Sequence, residues 1–394
     1  MSELNALRIE IKTWLEDNCP PSQRQPISSD QQVWAGRNKT FPSDDAKIWL
    51  QRCVDKGYTV PEWPTEYGGA GMSEQEAKIL REEMRALNCR TPLYDQGIWM
   101  LGPALLEFGN EEQKADHLPK IARGDIRWCQ GYSEPGAGSD LASLQTRAED
   151  KGDHFLVNGS KIWTTFAAHS DWIFCLVRTD PEAKKQEGIS FLLIDMEDPG
   201  VTVTPIQLIS GKSEFCQTFF DNVKVPKANL VNKLNNGWSV AKGLLKHERK
   251  LMSEMGDIPR PSINVVQAAQ QYSPMIDGKL ADAVIRNDLV QHEMTMRALG
   301  LTHFRMFEER VHGQSDRNVG LIMKYVGTEE QKRNADIMVS LMGNRGLGWR
   351  DDEFNDDELM AMVTSMFNKT LSIAGGTNEV QLNIIAKRAL GLPD

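Results

Sequence analysis

The feature that most narrows what this chain can fold into is a change of hydrophobic period along its 394 residues: helical, then strand-like, then helical again. From 1 to 125, apolar residues recur at helical spacing in "ALRIEIKTWLEDN", "DDAKIWLQRCVDKG", "SEQEAKILREEMRAL" and "EEQKADHLPKIARG". Several of these stretches open with Ser or Asp in capping positions and close at Gly. From 126 to 232 the runs shorten, and "WIFCLVRT", "GISFLLIDM", "VTVTPIQLI" and "QTFFDNVKVP" read as strands. Asn158-Gly159, at the centre of "HFLVNGSKIWTT", predicts a hairpin turn. From 233 to 394 long helical patterns return, first "GWSVAKGLLKHERKLMSEMG" and then "LADAVIRNDLVQHEMTMRALGLTHFRMFEERV". The chain therefore reads as α+β, with an N-terminal helical domain, a middle β domain and a C-terminal helical domain.

Composition removes several classes of function. A net charge of −10 with no block of Lys and Arg lacks the basic stripe that neutralises phosphates, so nucleic-acid binding is set aside. Cysteines at 19, 53, 89, 129, 175 and 216 form no CxxC pair, which indicates neither a disulfide framework nor a zinc site and fits a reducing cytoplasm. No apolar run approaches the roughly 20 residues of a membrane span. The acidic "DDEFNDDEL" at 351–359 lacks the Gly and spacing of a calcium loop and reads as a solvated face. No metal is expected.

Two stretches of the middle domain carry the chemistry. In "CQGYSEPGAGSDLASLQTRA" (129–148) a glycine-rich turn lets backbone N–H groups and small hydroxyls approach a polar or anionic ligand. In "NGSKIWTTFAAHSDWIFCLVRTD" (158–180), Trp163 and the two threonines after it add an aromatic face and hydroxyls, although a lone strand-end tryptophan is more often core. These two stretches resemble the signatures of the acyl-CoA dehydrogenases. "WPTEYGGAG" at 63–71, "GNEEQKADHLPKIARGD" at 109–125, "FFDNVKVPKANLV" and "GGTNEVQLNIIAKRALGLP" match that family in order and spacing, so the resemblance covers nearly the whole chain.

The resemblance implies the acyl-CoA dehydrogenase fold, with a four-helix bundle as the C-terminal domain, and FAD as cofactor. It implies that Trp163 packs on the isoalloxazine ring while hydroxyls and main-chain groups at Ser133, Thr164 and Thr165 bond its polar edge. Gly138 and Ser139 belong to the turn near the flavin, and the Ser139 position also serves CoA or flavin phosphates. Thr377, Asn378 and Glu379 match a further FAD-contacting segment. The expected reaction is desaturation of an acyl-CoA thioester to a trans-2-enoyl-CoA, with β-hydride transfer to flavin N5 and an electron-transfer flavoprotein as electron acceptor. The family habit is a tetramer, here a homotetramer or a heterotetramer.

The α-proton of a thioester is weakly acidic, so a carboxylate must take it while the carbonyl is polarised. Many family members place that glutamate just before the Gly-Thr pair of the turn "LSIAGGTNEVQ" (371–381), where this chain has Gly375. Gly375 keeps the backbone N–H that in the family donates to the thioester oxygen, but it supplies no base. Some branches, isovaleryl-CoA dehydrogenase among them, place the base on the first helix after the β domain, one residue before an arginine, and Glu248 of "KHERK" holds that position. The helical wheel agrees independently. At about 100° per residue, Trp238, Val240, Ala241, Leu244, Leu245, Leu251, Met252 and Met255 fall within about 80° of Glu248. A carboxylate amid an apolar stripe is desolvated, which raises its pKa toward that of a working base. A structural glutamate satisfied by a distant arginine is the alternative. Lys246 and Arg249 resemble acyl-CoA contacts, and Arg249 is equally placed to hold the turn near 375.

The chain departs from the family where many members carry an Arg and a Phe-Gly pair that reach FAD across a subunit interface. Here "INVVQAAQQYSPMIDGKLADAVIRNDL" (263–289) has no such run, so the adenine end of FAD is held differently, with Arg286 or the turn at Gly343 as candidates. Two other readings remain: a non-catalytic or half-site subunit of a heteromeric dehydrogenase, and a flavin oxidase or monooxygenase on the same fold. The histidines, His247 and His292 included, read as surface or helix-face residues. The "HER" and "GGTNE" style is similar to members that act on branched, cyclic or steroid side-chain acyl-CoAs.

Overall fold

The computed structural model describes residues 3–25, 31–245, 263–313, 319–349 and 353–393. Its contacts separate into two compact units, one of residues 1–207 with 213–261 and the other of 208–212 with 262–394.

In the first unit the helices begin and end where their caps dictate. They are α1 (Glu3–Asn18), α2 (Asp44–Lys56), α3 (Glu74–Ala86), α4 (Gly102–Phe108) and α5 (Glu111–Arg123). Ser43 caps α2 by accepting from the Ala46 N–H, and Ser73 and Asn110 open α3 and α5 with capping boxes. Gly57 and Gly124 close α2 and α5 in the left-handed conformation that glycine adopts without strain.

Eight strands follow: β1 (Trp128–Gly131), β2 (Arg147–Asp150), β3 (His154–Thr165), β4 (Trp172–Arg178), β5 (Ile189–Asp195), β6 (Val201–Ile206), β7 (Phe215–Pro226) and β8 (Leu230–Val231). They form one sheet in the order β6-β7-β3-β2-β4-β5-β8, with β1 parallel to β4. β4 and β5 read as continuous apolar runs because both of their faces are covered. One face, with Phe174, Leu176, Phe191 and Leu193, shares a core with Leu101, Leu105, Leu118 and Ile121 of the helical region. The other face packs Cys129, Ile173, Cys175 and Leu192 against Phe155, Val157, Phe220 and Val223. Each fully buried Phe, Leu or Ile contributes roughly 2 kcal/mol.

Asn158-Gly159 is not a hairpin turn. It lies within the 12 residues of β3, where the pairing with β7 shifts register between Val157 and Gly159. A Cβ on Gly159 would stand 2.7 Å from Thr146 Cα, so the glycine answers a close strand approach. The turn between β2 and β3 falls instead at Gly152 (φ +94°), with Lys151 N–H donating to His154 O over 2.9 Å.

A helix after the strands, α6, is described over 237–245, and the second unit contains α7 (Val265–Tyr272), a short hairpin of β9 (Met275–Ile276) and β10 (Lys279–Leu280), then α8 (Ala283–Val311), α9 (Val319–Met342), α10 (Asp356–Asn368) and α11 (Asn378–Ile384). Asp277-Gly278 makes the hairpin with both residues left-handed. Val265, Ala268, Ala269, Leu289, Ile337 and Leu341 form the core. His292 is a buried helix-face residue: its Nδ1 is 2.9 Å from Glu330 Oε2 and its Nε2 is 2.9 Å from Asn334 Nδ2. The acidic tract is not wholly a solvated face. Asn355 caps α10, and Glu358, 2% exposed, turns inward to accept from Arg345 over 2.8 and 2.7 Å. Among the described residues no helix is long and apolar enough to cross a membrane.

Candidate active site

β1 runs directly into Tyr132, Ser133 and Glu134, and β3 lies against that segment. Ile162 N–H donates to Ser133 O over 2.8 Å, and the fully buried Lys161 donates to Tyr132 O over 3.1 Å. Lys161 Nζ also meets Glu134 Oε1 at 2.7 Å, while the N–H groups of Gln145 and Thr146 donate to the same carboxylate over 2.6 and 2.8 Å. Burial pushes the Glu134 carboxyl up, but the Lys161 charge and these hydrogen bonds more than offset it and hold it below the usual range. Glu134 therefore ties the first signature to the second as a carboxylate, and Ser133 is brought beside Ile162 and Trp163.

The turn beyond it is pinched by reciprocal hydrogen bonds of 3.0 Å between Glu134 and Ala137. Neither Gly136 nor Gly138 has a left-handed φ, and a Cβ on either would enter open space. Nothing among the described residues requires glycine there, which fits a turn kept bare for a ligand. Gly138 and Ser139 are exposed. Behind the turn, buried Arg178 donates to the carbonyls of Ala142, Leu144 and Lys185, so the backbone after the signature is fixed.

Trp163 occupies a bulge, because the β3–β7 pairing shifts again between Lys161 and Thr164. It is 53% exposed with φ +61°, a conformation that bulky residues rarely adopt. An exposed tryptophan on strained backbone is no core residue, and such strain gathers where a ligand is held. Thr165 is half-buried beside it. Thr164 differs from expectation: its side chain is fully buried, its hydroxyl lies 2.8 Å from Cys216 O and 2.9 Å from Thr218 Oγ1, and only its main chain remains for a cofactor. Alternation along the strand, offset by the bulge, turns it inward. Gln130 Nε2, on β1 three residues before Ser133, is buried with no hydrogen-bond partner among the described residues. A bare turn, an exposed indole and an unspent donor fit a planar polar cofactor.

The helix after the β strands, α6, is described over 237–245. Val240, Ala241 and Leu244 are buried in the core shared with β4 and β5, and Trp238 and Leu245 pack against it. The apolar stripe read from the sequence is thus present as far as the helix is described. Lys246, Glu248 and Arg249 lie outside the described residues.

In the second unit, Gly375 (φ +65°) and Gly376 (φ +89°) form the turn before α11. Gly375 is exposed, and its N–H meets no acceptor among the described residues. Thr377 caps α11 by accepting from Val380 N–H over 3.2 Å. Asn378 is buried, accepting from Lys324 over 3.2 Å and donating to Glu329 over 2.5 Å. Both side chains are committed within the chain, Thr377 as the cap of α11 and Asn378 to Lys324 and Glu329. Glu379 is exposed, and hydrogen bonds from its own N–H and from Thr377 hold its carboxyl below the usual range. Among the described residues no three His, Cys, Asp or Glu side chains could hold a metal.

Sequence reading missed Lys161, Arg178 and Asp95. A lysine between two signatures and an arginine ending an apolar strand were the available signals for the first two. Asp95, fully buried, accepts from Trp128 N–H and Gly97 N–H over 2.9 Å each and so pins the start of β1.

Comparison with known proteins finds three family models along the chain. They are the N-terminal, middle and C-terminal domains of acyl-CoA dehydrogenase, matching residues 2–125, 129–223 and 235–390. The acyl-CoA dehydrogenase IpdE1 of Mycolicibacterium smegmatis is 32% identical over 406 residues, covering 100% of this chain and 99% of the relative. Among solved structures, the Tcur3481-Tcur3483 steroid ACAD superposes with TM-score 0.75 at 28% identity, covering 100% of this chain and 98% of the other. The ChsE4-ChsE5 complex of Mycobacterium tuberculosis gives TM-score 0.73 at 26% identity, over 100% and 98% of the two chains.

Proposed function

This chain belongs to the acyl-CoA dehydrogenase family and is an oxidoreductase, and from that premise we propose that it desaturates an acyl-CoA to the trans-2-enoyl-CoA with FAD as cofactor. The observation that carries this reading is Trp163, exposed and left-handed on a bulge whose preceding residue, Ile162, is hydrogen-bonded to Ser133 at the start of the bare glycine turn. Bound there, FAD would supply the hydride acceptor.

The chain's own groups do the rest. Glu248 takes the α-proton, and the Gly375 N–H polarises the thioester carbonyl. In the sequence Glu248 follows Ala241 by seven residues and Leu244 by four, helical spacings that share a face, and both of those residues are buried. Ser133, Gly138, Ser139, Trp163, Thr165 and Glu379, with the main chain of Thr164, Thr377 and Asn378, hold the cofactor. Ser139, Lys246 and Arg249 contact the acyl-CoA. The division at about 125 and 232 separates helical, flavin-binding and bundle parts.

An electron-transfer flavoprotein is the proposed electron acceptor. Assembly as a homotetramer or heterotetramer is supported by Val284, Val290, Met294, Leu301 and Phe304, exposed along α8, and by the similar Tcur3481-Tcur3483 and ChsE4-ChsE5 structures, whose names pair two components. A bulky, ring-bearing acyl group is proposed because one of those similar proteins is a steroid ACAD. The test is a panel of acyl-CoAs, straight, branched and ring-bearing, added anaerobically to the purified flavoprotein. Bleaching by a ring-bearing member and not by short straight chains is the expected result; a protein that no acyl-CoA bleaches contradicts the proposed reaction.

A further inference from the structure

We infer that Arg127, with Trp34, is a positioning residue of the flavin face: it clamps Phe166 in a left-handed conformation and so sets the direction in which Thr165 and Trp163 are presented. The inference rests on the flavin-binding reading above.

Phe166 directly follows β3 and has φ +58°, where its Cβ crowds the backbone and only glycine, asparagine and aspartate settle readily. Something must hold it. Its N–H donates to Glu214 O over 2.7 Å, and its ring lies 4.7 Å from that of Trp34. The Arg127 guanidinium carbon stands 4.1 Å from the Trp34 ring centre and 5.2 Å from that of Phe166, so one cation faces both rings. Arg127 is only 7% exposed, with the charges of Asp95 and Asp171 near enough to act on its guanidinium and the two rings facing it.

The clamp is anchored on both sides. Trp34 is bridged to Tyr94, with Ala35 N–H donating to Tyr94 O over 3.0 Å and Tyr94 N–H to Val33 O over 2.8 Å. Arg127 N–H donates to Asp171 Oδ2 over 2.8 Å, and Arg127 O accepts from the N–H groups of Asp171 and Trp172. Phe166 is thus gripped by two fixed points. Only Thr164 and Thr165 lie between it and Trp163, itself left-handed, so a change at Phe166 redirects the end of the strand that carries the indole.

The test titrates apoprotein with FAD and follows flavin fluorescence for the wild type, Arg127→Lys, Phe166→Asn and the double variant, with melting temperatures of each apoprotein alongside. Lysine keeps the buried charge but loses the planar face that stacks on rings. Arg127→Lys is expected to weaken FAD binding about tenfold in the wild type but less than about twofold in the Phe166→Asn background, because asparagine takes the left-handed conformation unaided. Unchanged affinity in Arg127→Lys, or the same loss in both backgrounds, overturns the inference, the latter being what a purely stabilising arginine gives. A wild-type apoprotein that takes up no FAD fails earlier, and that result removes the flavin reading itself.

Discussion

Lys161 Nζ stands 2.7 Å from Glu134 Oε1 with the lysine side chain fully buried, so the two signatures of the β region are joined by an ion pair inside the protein. Removing one partner leaves the other charge uncompensated, and Lys161→Met is expected to cost about 3–5 kcal/mol in chemical denaturation. The same variant loosens the Ser133–Ile162 contact and lowers flavin affinity. A variant as stable as the wild type contradicts the role assigned to the pair.

The pair also has a pH signature. The folded pKa of Glu134 is lowered, so its contribution is present above the ordinary glutamate value of about 4.3 and is lost as pH falls through the folded value. Glu134→Gln should flatten the acid limb of the stability profile, measured as melting temperature against pH.

Asp95 acts with the opposite sign. Burial pushes its carboxyl up to about 8, against hydrogen bonds from Trp128 and Gly97 and the nearby Arg127 charge. A raised folded value favours folding fully below the unfolded aspartate value of about 3.9 and loses that contribution as pH rises through the folded one. Asp95→Asn, which mimics the protonated acid, is expected to reduce the fall in stability between about pH 4 and 8.

Trp163 is expected to trade stability for binding. Its side chain is 53% exposed and its backbone left-handed, so Trp163→Gly should leave the apoprotein as stable or up to about 1 kcal/mol more stable. The same change should weaken FAD binding about 5- to 150-fold, the equivalent of about 1–3 kcal/mol for base-like stacking on the indole. Differential scanning fluorimetry and flavin titration read the two effects separately.

Much of this arrangement was legible in the sequence. The shift of period located the helical and strand regions, and the turn 134–140 and the Trp163 face were visible as residue types at fixed spacing. What escaped was set by contacts between distant segments. Asn158-Gly159 has the composition of a turn, but the approach of Thr146 makes Gly159 a bulge instead. Thr164 turns inward only because the bulge at Trp163 offsets the alternation. The side chains of Thr377 and Asn378 look free for a ligand until the cap on α11 and the Lys324 and Glu329 partners are in place. Glu358 sits in an acidic run, yet Arg345, thirteen residues earlier, draws it inside. Such long-range partners leave no periodic trace.

The most direct measurement is the visible absorbance of the bound flavin in Glu248→Gln protein mixed anaerobically with an acyl-CoA that bleaches the wild type. If Glu248 is the base, the variant stays yellow with its cofactor bound and bleaches roughly 10²–10⁴-fold more slowly. Bleaching at the wild-type rate contradicts the assignment and moves the proton acceptor elsewhere in the chain.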